Sequence, residues 1–246
     1  MQFNEHFERY EREISLARTN FSRKILELSK EKDPRNLMIF WLNFSSLGIA
    51  MTEFVEDWIR RAGQKTKDLG YEHLGVKLIK HATHERNHHL MMIADTHKLT
   101  EIWNQEYAPP ALQANQLMSR KPMASTLAYQ KLHEDCIKSE NPFGQIAIEY
   151  EIENLSIVHG PGILKNSTES LGKDIQSCLT FVFDHVEIDQ AHTVYNREAM
   201  CEFLDEFPTA VNDLVAIGSK ALDIYGSFLN DCLIHSEVFS TAAVTA

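Results

Sequence analysis

The chain has 246 residues, 43% of them apolar, with only 10 Gly and 7 Pro, so it can bury a full core and is poor in helix breakers. A net charge of −11 argues against nucleic acid and against an anionic membrane surface as partners. The four cysteines, Cys136, Cys178, Cys201 and Cys232, contain no C-x-x-C pair, which argues against a disulfide framework or a zinc–thiolate site. The first residues lack the basic-then-apolar layout of a signal peptide, and no window is expected to reach the length of a membrane span, so the expected location is cytoplasmic.

The elements follow in chain order. Residues 3–31 read as a helix with charged faces, ended by Asp33-Pro34. Residues 35–62 carry Leu47, Met51, Phe54, Val55 and Trp58 at helical spacing and end near Gly63. Residues 69–98 form a third helical stretch, bent near Gly75. Pro109-Pro110 marks a loop, and 111–138 is helical with an interruption at Lys121-Pro122. Asn141-Pro142 opens a segment that runs to about Val158, where Gly160-Pro161-Gly162 breaks or kinks it. Residues 170–204 and 209–234 supply two more helices, with Pro208 between them. The expectation is all-α: a single domain, 1–246, of seven helices, with 1–34 peripheral and 236–246 a loose tail.

One pattern occurs twice. His81, Glu85 and His88 make H-x3-E-x2-H, and His185, Asp189 and His192 make H-x3-D-x2-H. Positions i, i+4 and i+7 share a helix face. Each face is bracketed by apolar residues in phase: Leu74, Leu78 and Met92 in one, Cys178 and Val182 in the other. A solvent face would not be bracketed that way, so the ionisable groups point inward. Buried imidazoles and carboxylates are costly unless they bind something, and mixed N/O donors suit iron or manganese. Further carboxylates come from Glu149 or Glu153, which share a face, and from Glu53 or Glu56. Glu151 lies roughly 200° around the helix from Glu149 and faces elsewhere. The order Glu, Glu85-x-x-His88, Glu, Asp189-x-x-His192 is that of carboxylate-bridged dinuclear sites in helical bundles. His81 can be a ligand, a group that orients a ligand or a plain surface histidine, and a structural or orienting role is preferred; Glu85 can be a ligand or can orient His88.

At these residues the chain resembles the haem-oxygenase-like diiron oxidases, the group around the CADD and TenA-like proteins. The stretch His81–Leu90 resembles that superfamily's H-x-x-E-E-x-G-H helix, with His84 where a second Glu is common and Asn87 where Gly is common. His185 to His192 resembles its H-x3-D-x2-H helix. Tyr150 to Ser156 resembles the helix giving the bridging Glu, which favours Glu153. The resemblance implies a seven-helix, haem-oxygenase-like bundle, often dimeric. It would bind two iron ions, cycle between Fe2+ and Fe3+, and use O2 as co-substrate, with manganese as an alternative metal. Carried over by position, the ligands are Glu53, His88, Glu153, His185, Asp189 and His192, with Glu85 as a seventh. The implied substrate is a small carboxylate or amino acid, for which Arg60, Arg61, Lys77 and Lys80 are the cationic candidates. The implied partners include neither nucleic acid nor a membrane, and a homodimer is expected. Three other readings stand beside it: a ferritin-like diiron bundle, a metal-free TenA-like hydrolase with Cys136 as nucleophile, and a non-enzymatic helical interaction protein.

Overall fold

Capping side chains set the first helix starts. Asn4 Oδ1 accepts from the Phe7 amide at 2.7 Å, and its amide nitrogen donates to Cys201 O at 2.9 Å, tying the start of the chain to a distant helix. Asp33 accepts from the Asn36 amide at 3.0 Å, and Pro34 occupies the first helical turn, where its missing N–H costs nothing. The computed structural model describes residues 4–236 and 239. Among them the α-helices are α1 (Glu5–Lys24), α2 (Leu26–Lys30), α3 (Pro34–Thr52), α4 (Val55–Asp68), α5 (Glu72–Ala82), α6 (His88–Glu106), α7 (Ala114–Met118), α8 (Ala124–Lys138), α9 (Gln145–Leu171), α10 (Thr180–Glu206) and α11 (Val211–Ile234). Three short 3-10 turns join them, and no strand is present among the described residues.

The expected all-α class holds, but the expected count of seven does not. The first four predicted segments are each divided in two, which gives eleven helices. The divisions fall at Ile25, at Glu53-Phe54, at residues 83–87 and at residues 119–123. Conversely, α9 runs through Pro161 without a break. Gly160 lies where α10 comes closest: a Cβ there would stand 2.6 Å from Val186 Cγ2. Gly75 does not bend its helix. A Cβ there would stand 2.6 Å from Gly63 O, so the pair lets α4 and α5 cross in close contact.

Helix α3 runs through the middle of the bundle. Leu37, Met38, Phe40, Trp41, Leu42, Phe44, Leu47 and Met51 are all buried, each contributing about 1.5–3 kcal/mol by leaving water. Trp41 Nε1 donates to Ser167 Oγ at 2.9 Å, pinning α3 to the far half of α9. By length and hydropathy, residues Pro34–Asp68 would suffice to cross a membrane, contrary to expectation, but 67% of the apolar window is buried inside the bundle. Helix α1 packs on α11 and α10 through Phe7, Tyr10, Ile14 and Phe21. Tyr10 Oη and Arg18 both donate to Glu151, each at 2.8 Å, so Glu151 faces α1, away from Glu149. The expected loose tail, 236–246, lies outside the described residues except for Ser236 and Phe239.

Candidate metal centre

Four segments bring ionisable side chains to one place. Helix α10 supplies His185, Asp189 and His192 from one continuous face, and α9 supplies Glu149 and Glu153, one turn apart. His81 sits in the last turn of α5 and His88 is the first residue of α6. Between them residues 83–87 leave the helix, and Asn87 takes the left-handed conformation (φ 67°, ψ 11°). Asn tolerates that region better than other side chains, which explains its presence where the resembled motif carries Gly. Glu85 lies in this break and so can reach both helices' histidines.

The geometry describes two adjoining sets of donors. His81, Glu85, Glu153 and His192 place one ligand atom each within 4.8 Å of one another, and so do Glu85, His88 and His185. Glu85 belongs to both. Its Oε1 faces His192 Nδ1 at 3.5 Å and His81 Nε2 at 4.0 Å, while its Oε2 lies 3.0 Å from His88 Nδ1. His192 Nδ1 stands 3.5 Å from a carboxylate oxygen of each of Glu85, Glu153 and Asp189. His81 Nε2 is 3.0 Å from Glu153 Oε1. Yet His81 Nε2, His192 Nδ1 and Glu153 Oε1 are all buried without a hydrogen-bond partner. Three orphaned polar atoms converging on one point are costly in a bare protein, and a cation between them removes the cost. Each set therefore offers donors that could hold a metal ion, and Glu85 belongs to both.

Outer contacts orient these donors. His185 Nδ1 donates to Phe181 O at 2.6 Å, which leaves Nε2 of the neutral ring an acceptor, hydrogen-bonded at 3.1 Å to His88 Nδ1. The turn containing Phe181 is fixed by buried Asp95 of α6, which accepts from the Phe181 amide at 2.9 Å and from Thr180 Oγ1 at 2.7 Å. Asn196 donates to Glu153 Oε2 at 2.6 Å, and Ser156 donates to Asp189.

Electrostatics separates the carboxylates. Burial pushes Glu85 up, but the hydrogen bond and charge of His88 outweigh it and hold the carboxyl down at about 2. Burial works against protonated His88, but Glu85 raises it above the ordinary histidine value. Burial lowers His185. Burial, reinforced by Glu85 and Asp189, drives Glu153 well above the carboxylate range, and burial lifts Glu149 to about 8. Such carboxyls resist ionising until a cation is present.

Six of the seven residues expected as ligands come together: Glu85, His88, Glu153, His185, Asp189 and His192. Glu53 does not. It is exposed at the C-terminal end of α3, because the helix breaks there and turns its carboxylate outward. Glu56 is tied to Arg60 and Arg86. His81 is instead fully buried within the cluster, grouped with Glu85, Glu153 and His192. The sequence signal for His81 was its phase with Glu85 and His88. Of the cations considered for a substrate carboxylate, Arg60 pairs with Glu56, Arg61 with Asp57 and Glu134, and Lys77 with Glu202, while Lys80 lies 5.4 Å over the Tyr195 ring. Cys136 is buried in α8, and burial pushes its thiol up to about 12, which removes the reactive thiolate that a nucleophile needs.

A cavity of about 140 Å3 adjoins the cluster. Glu85, His88, Glu149, Glu153, His185 and Asp189 line it, and Phe40, Trp41, Phe44, Met51, Met92, Phe181 and Phe228 give it apolar walls. On α9 the lining begins at Glu149 and ends at Ile163, so the space extends roughly 20 Å along the helix at 1.5 Å per residue. Among the described residues no Lys or Arg lines it.

No family model matches the chain, and no curated protein sequence matches it. Its backbone is similar to that of a crystal structure from Shewanella denitrificans OS217, a domain of unknown function with a haem oxygenase-like fold. The TM-score is 0.75 and the identity 19%, over 96% of this chain and 95% of that one. The chain therefore has the haem-oxygenase-like fold, and within it carries a histidine- and carboxylate-rich group able to hold metal.

Proposed function

We propose that the protein is a non-haem diiron oxidase that activates dioxygen to oxidise a small molecule held in the apolar cavity. One observation carries this reading: buried His81, Glu153 and His192 present unpartnered atoms to a common point, and Glu85 links that point to His88 and His185. Two ferrous ions, when bound, supply electrons for dioxygen reduction. His81, Glu153 and His192 would hold one, His88 and His185 the other, and Glu85 would bridge. Asp189, 3.5 Å from His192 and held by Ser156, lines the cavity beside them. The rest of the work belongs to the protein. Phe181 O holds His185 in one tautomer, Asn196 and Ser156 aim their carboxylates, and the aromatic walls keep water from the reacting end.

The substrate reading is a small molecule with an apolar body. With no Lys or Arg in the lining, a substrate carboxylate or amine would meet the metals, the carboxylates, the imidazoles and the hydroxyls of Thr52, Tyr129, Ser156 and Tyr225. The test is anaerobic titration with ferrous iron followed by an oxygen pulse under stopped-flow absorbance, for wild type, His185→Ala and Asp189→Ala. Two irons per chain and a transient visible band, lost in both variants, are expected. Absence of stoichiometric binding, or binding indifferent to both substitutions, would refute the proposal.

A further inference from the structure

Glu149 is a buried carboxylate that the donor set described above leaves aside. It lies one helical turn before Glu153 on α9, 6% exposed, and lines the cavity. Its Oε2 is 3.9 Å from His81 Nε2, the same orphaned atom that Glu153 Oε1 approaches to 3.0 Å. Its Oε1 is held from behind. Gln145 Nε2 donates to it, and the same amide nitrogen lies 2.9 Å from His133 Nδ1. An amide NH2 has two hydrogens, so one can serve Glu149 and the other a neutral His133. His133 is in turn immobilised, stacked on Trp58 at 4.4 Å and edge-on to Tyr129 at 4.6 Å. Every member of this chain is buried. A carboxylate so placed has one hydrogen-bond donor and no Lys or Arg beside it, which is a costly arrangement without a cation. An entire buried chain spent on aiming one oxygen at His81 is the arrangement expected behind a metal ligand.

We infer that Glu149 is a further ligand to the metal held by His81, Glu153 and His192, and that Gln145, backed by His133, is its positioning residue. The inference rests on the diiron reading and deepens it. Glu149 and Glu153 both bind, rather than one of the two. The His81 side then has five protein donors, His81, Glu85, Glu149, Glu153 and His192, and the two sides become unequal in charge and in openness. The side bearing His88 and His185 is left with fewer protein donors and more room for dioxygen or substrate: both of its histidines line the cavity, whereas His81 and His192 do not.

The test is equilibrium binding of Mn2+ to the intact protein, read by electron paramagnetic resonance of the free ion and by the metal-dependent rise in melting temperature. Wild type, Glu149→Gln, Gln145→Leu and Glu151→Gln are compared, with circular dichroism to establish that each is folded. Wild type is expected to bind two ions. Glu149→Gln should weaken one of the two by at least tenfold and leave the other unchanged. Gln145→Leu should weaken the same ion, by about 10–100-fold, the range for groups that orient a ligand. Glu151→Gln, altered on the opposite face of α9, should leave both affinities alone even though it lowers the melting temperature. Two ions bound by Glu149→Gln with affinities within twofold of wild type would overturn the inference and leave the diiron reading standing. Failure of wild type to bind Mn2+ and Fe2+ alike would overturn both.

Discussion

In the metal-free protein Glu149 should make stability fall as pH rises. Unfolded, its carboxyl titrates near 4.5; folded, burial and the neighbouring Glu153 lift it to about 8. Between those values the folded state binds more protons than the unfolded one, so each pH unit removes about 1.4 kcal/mol. The loss begins near pH 4.5, is complete above pH 8, and totals about 5 kcal/mol. His88 acts in the same direction: Glu85 raises it, so the stability it lends is present below the ordinary histidine value and is lost as pH rises through its folded value. Glu85 itself, held down at about 2, contributes stability that is present throughout this window and disappears only in strong acid. The substitution Glu149→Gln isolates the first effect. In chelator, by scanning calorimetry from pH 5 to 8.5, the variant should match wild type near pH 5 and exceed it at pH 8.5. A difference of 5 kcal/mol corresponds to about 10–20 °C in a chain of this size. With saturating metal the order should invert, because the ion stabilises the ionised carboxylate. Parallel stability curves for the two proteins in chelator would refute the reasoning.

Other substitutions test the supports of the site. Arg18→Met leaves Glu151 buried with only Tyr10 to meet it, and should cost about 3–5 kcal/mol in urea unfolding without altering metal stoichiometry. Asn87→Gly should be tolerated at the left-handed position, whereas Asn87→Val should cost roughly 1–2 kcal/mol and weaken metal binding by shifting Glu85 and His88; both are read by melting and Mn2+ titration. Gly160→Leu places a side chain against Val186 and should push α10 off α9, costing about 1–3 kcal/mol and loosening the Ser156–Asp189 contact, seen as weaker metal binding. Ile163→Trp, at the end of the cavity remote from the carboxylates along α9, should leave two metals bound while reducing the affinity of small apolar ligands measured by calorimetry.

What the sequence made legible, and what it hid, divides along the continuity of the helices. On α10 the chain stays helical from Thr180 to Glu206, so spacing alone placed His185, Asp189 and His192 on one face, and the same logic separated Glu151 from Glu149 and Glu153. Periodicity fails where the backbone departs from 3.6 residues per turn. Glu53 has the right residue type and neighbourhood, but α3 ends beside it and the carboxylate faces water. His81, Glu85 and His88 were expected to converge because they share a face of one helix; they converge from the ends of two helices and the turn that joins them. An unbroken helix would carry His81 and His88 roughly 10 Å apart along its axis, with Glu85 between them one turn from each. The turn at residues 83–87 folds the interval back, so that Glu85 offers one oxygen to each side. The local signal for it was a single residue, Asn87 at a position where the resembled motif carries Gly, and its meaning is a positive φ rather than a side-chain contact. The turn nevertheless sets where Glu85 and His88 lie relative to His81, and a substitution that restored helix through residues 83–87 should shift that geometry and weaken Mn2+ binding while all three side chains remained in the sequence.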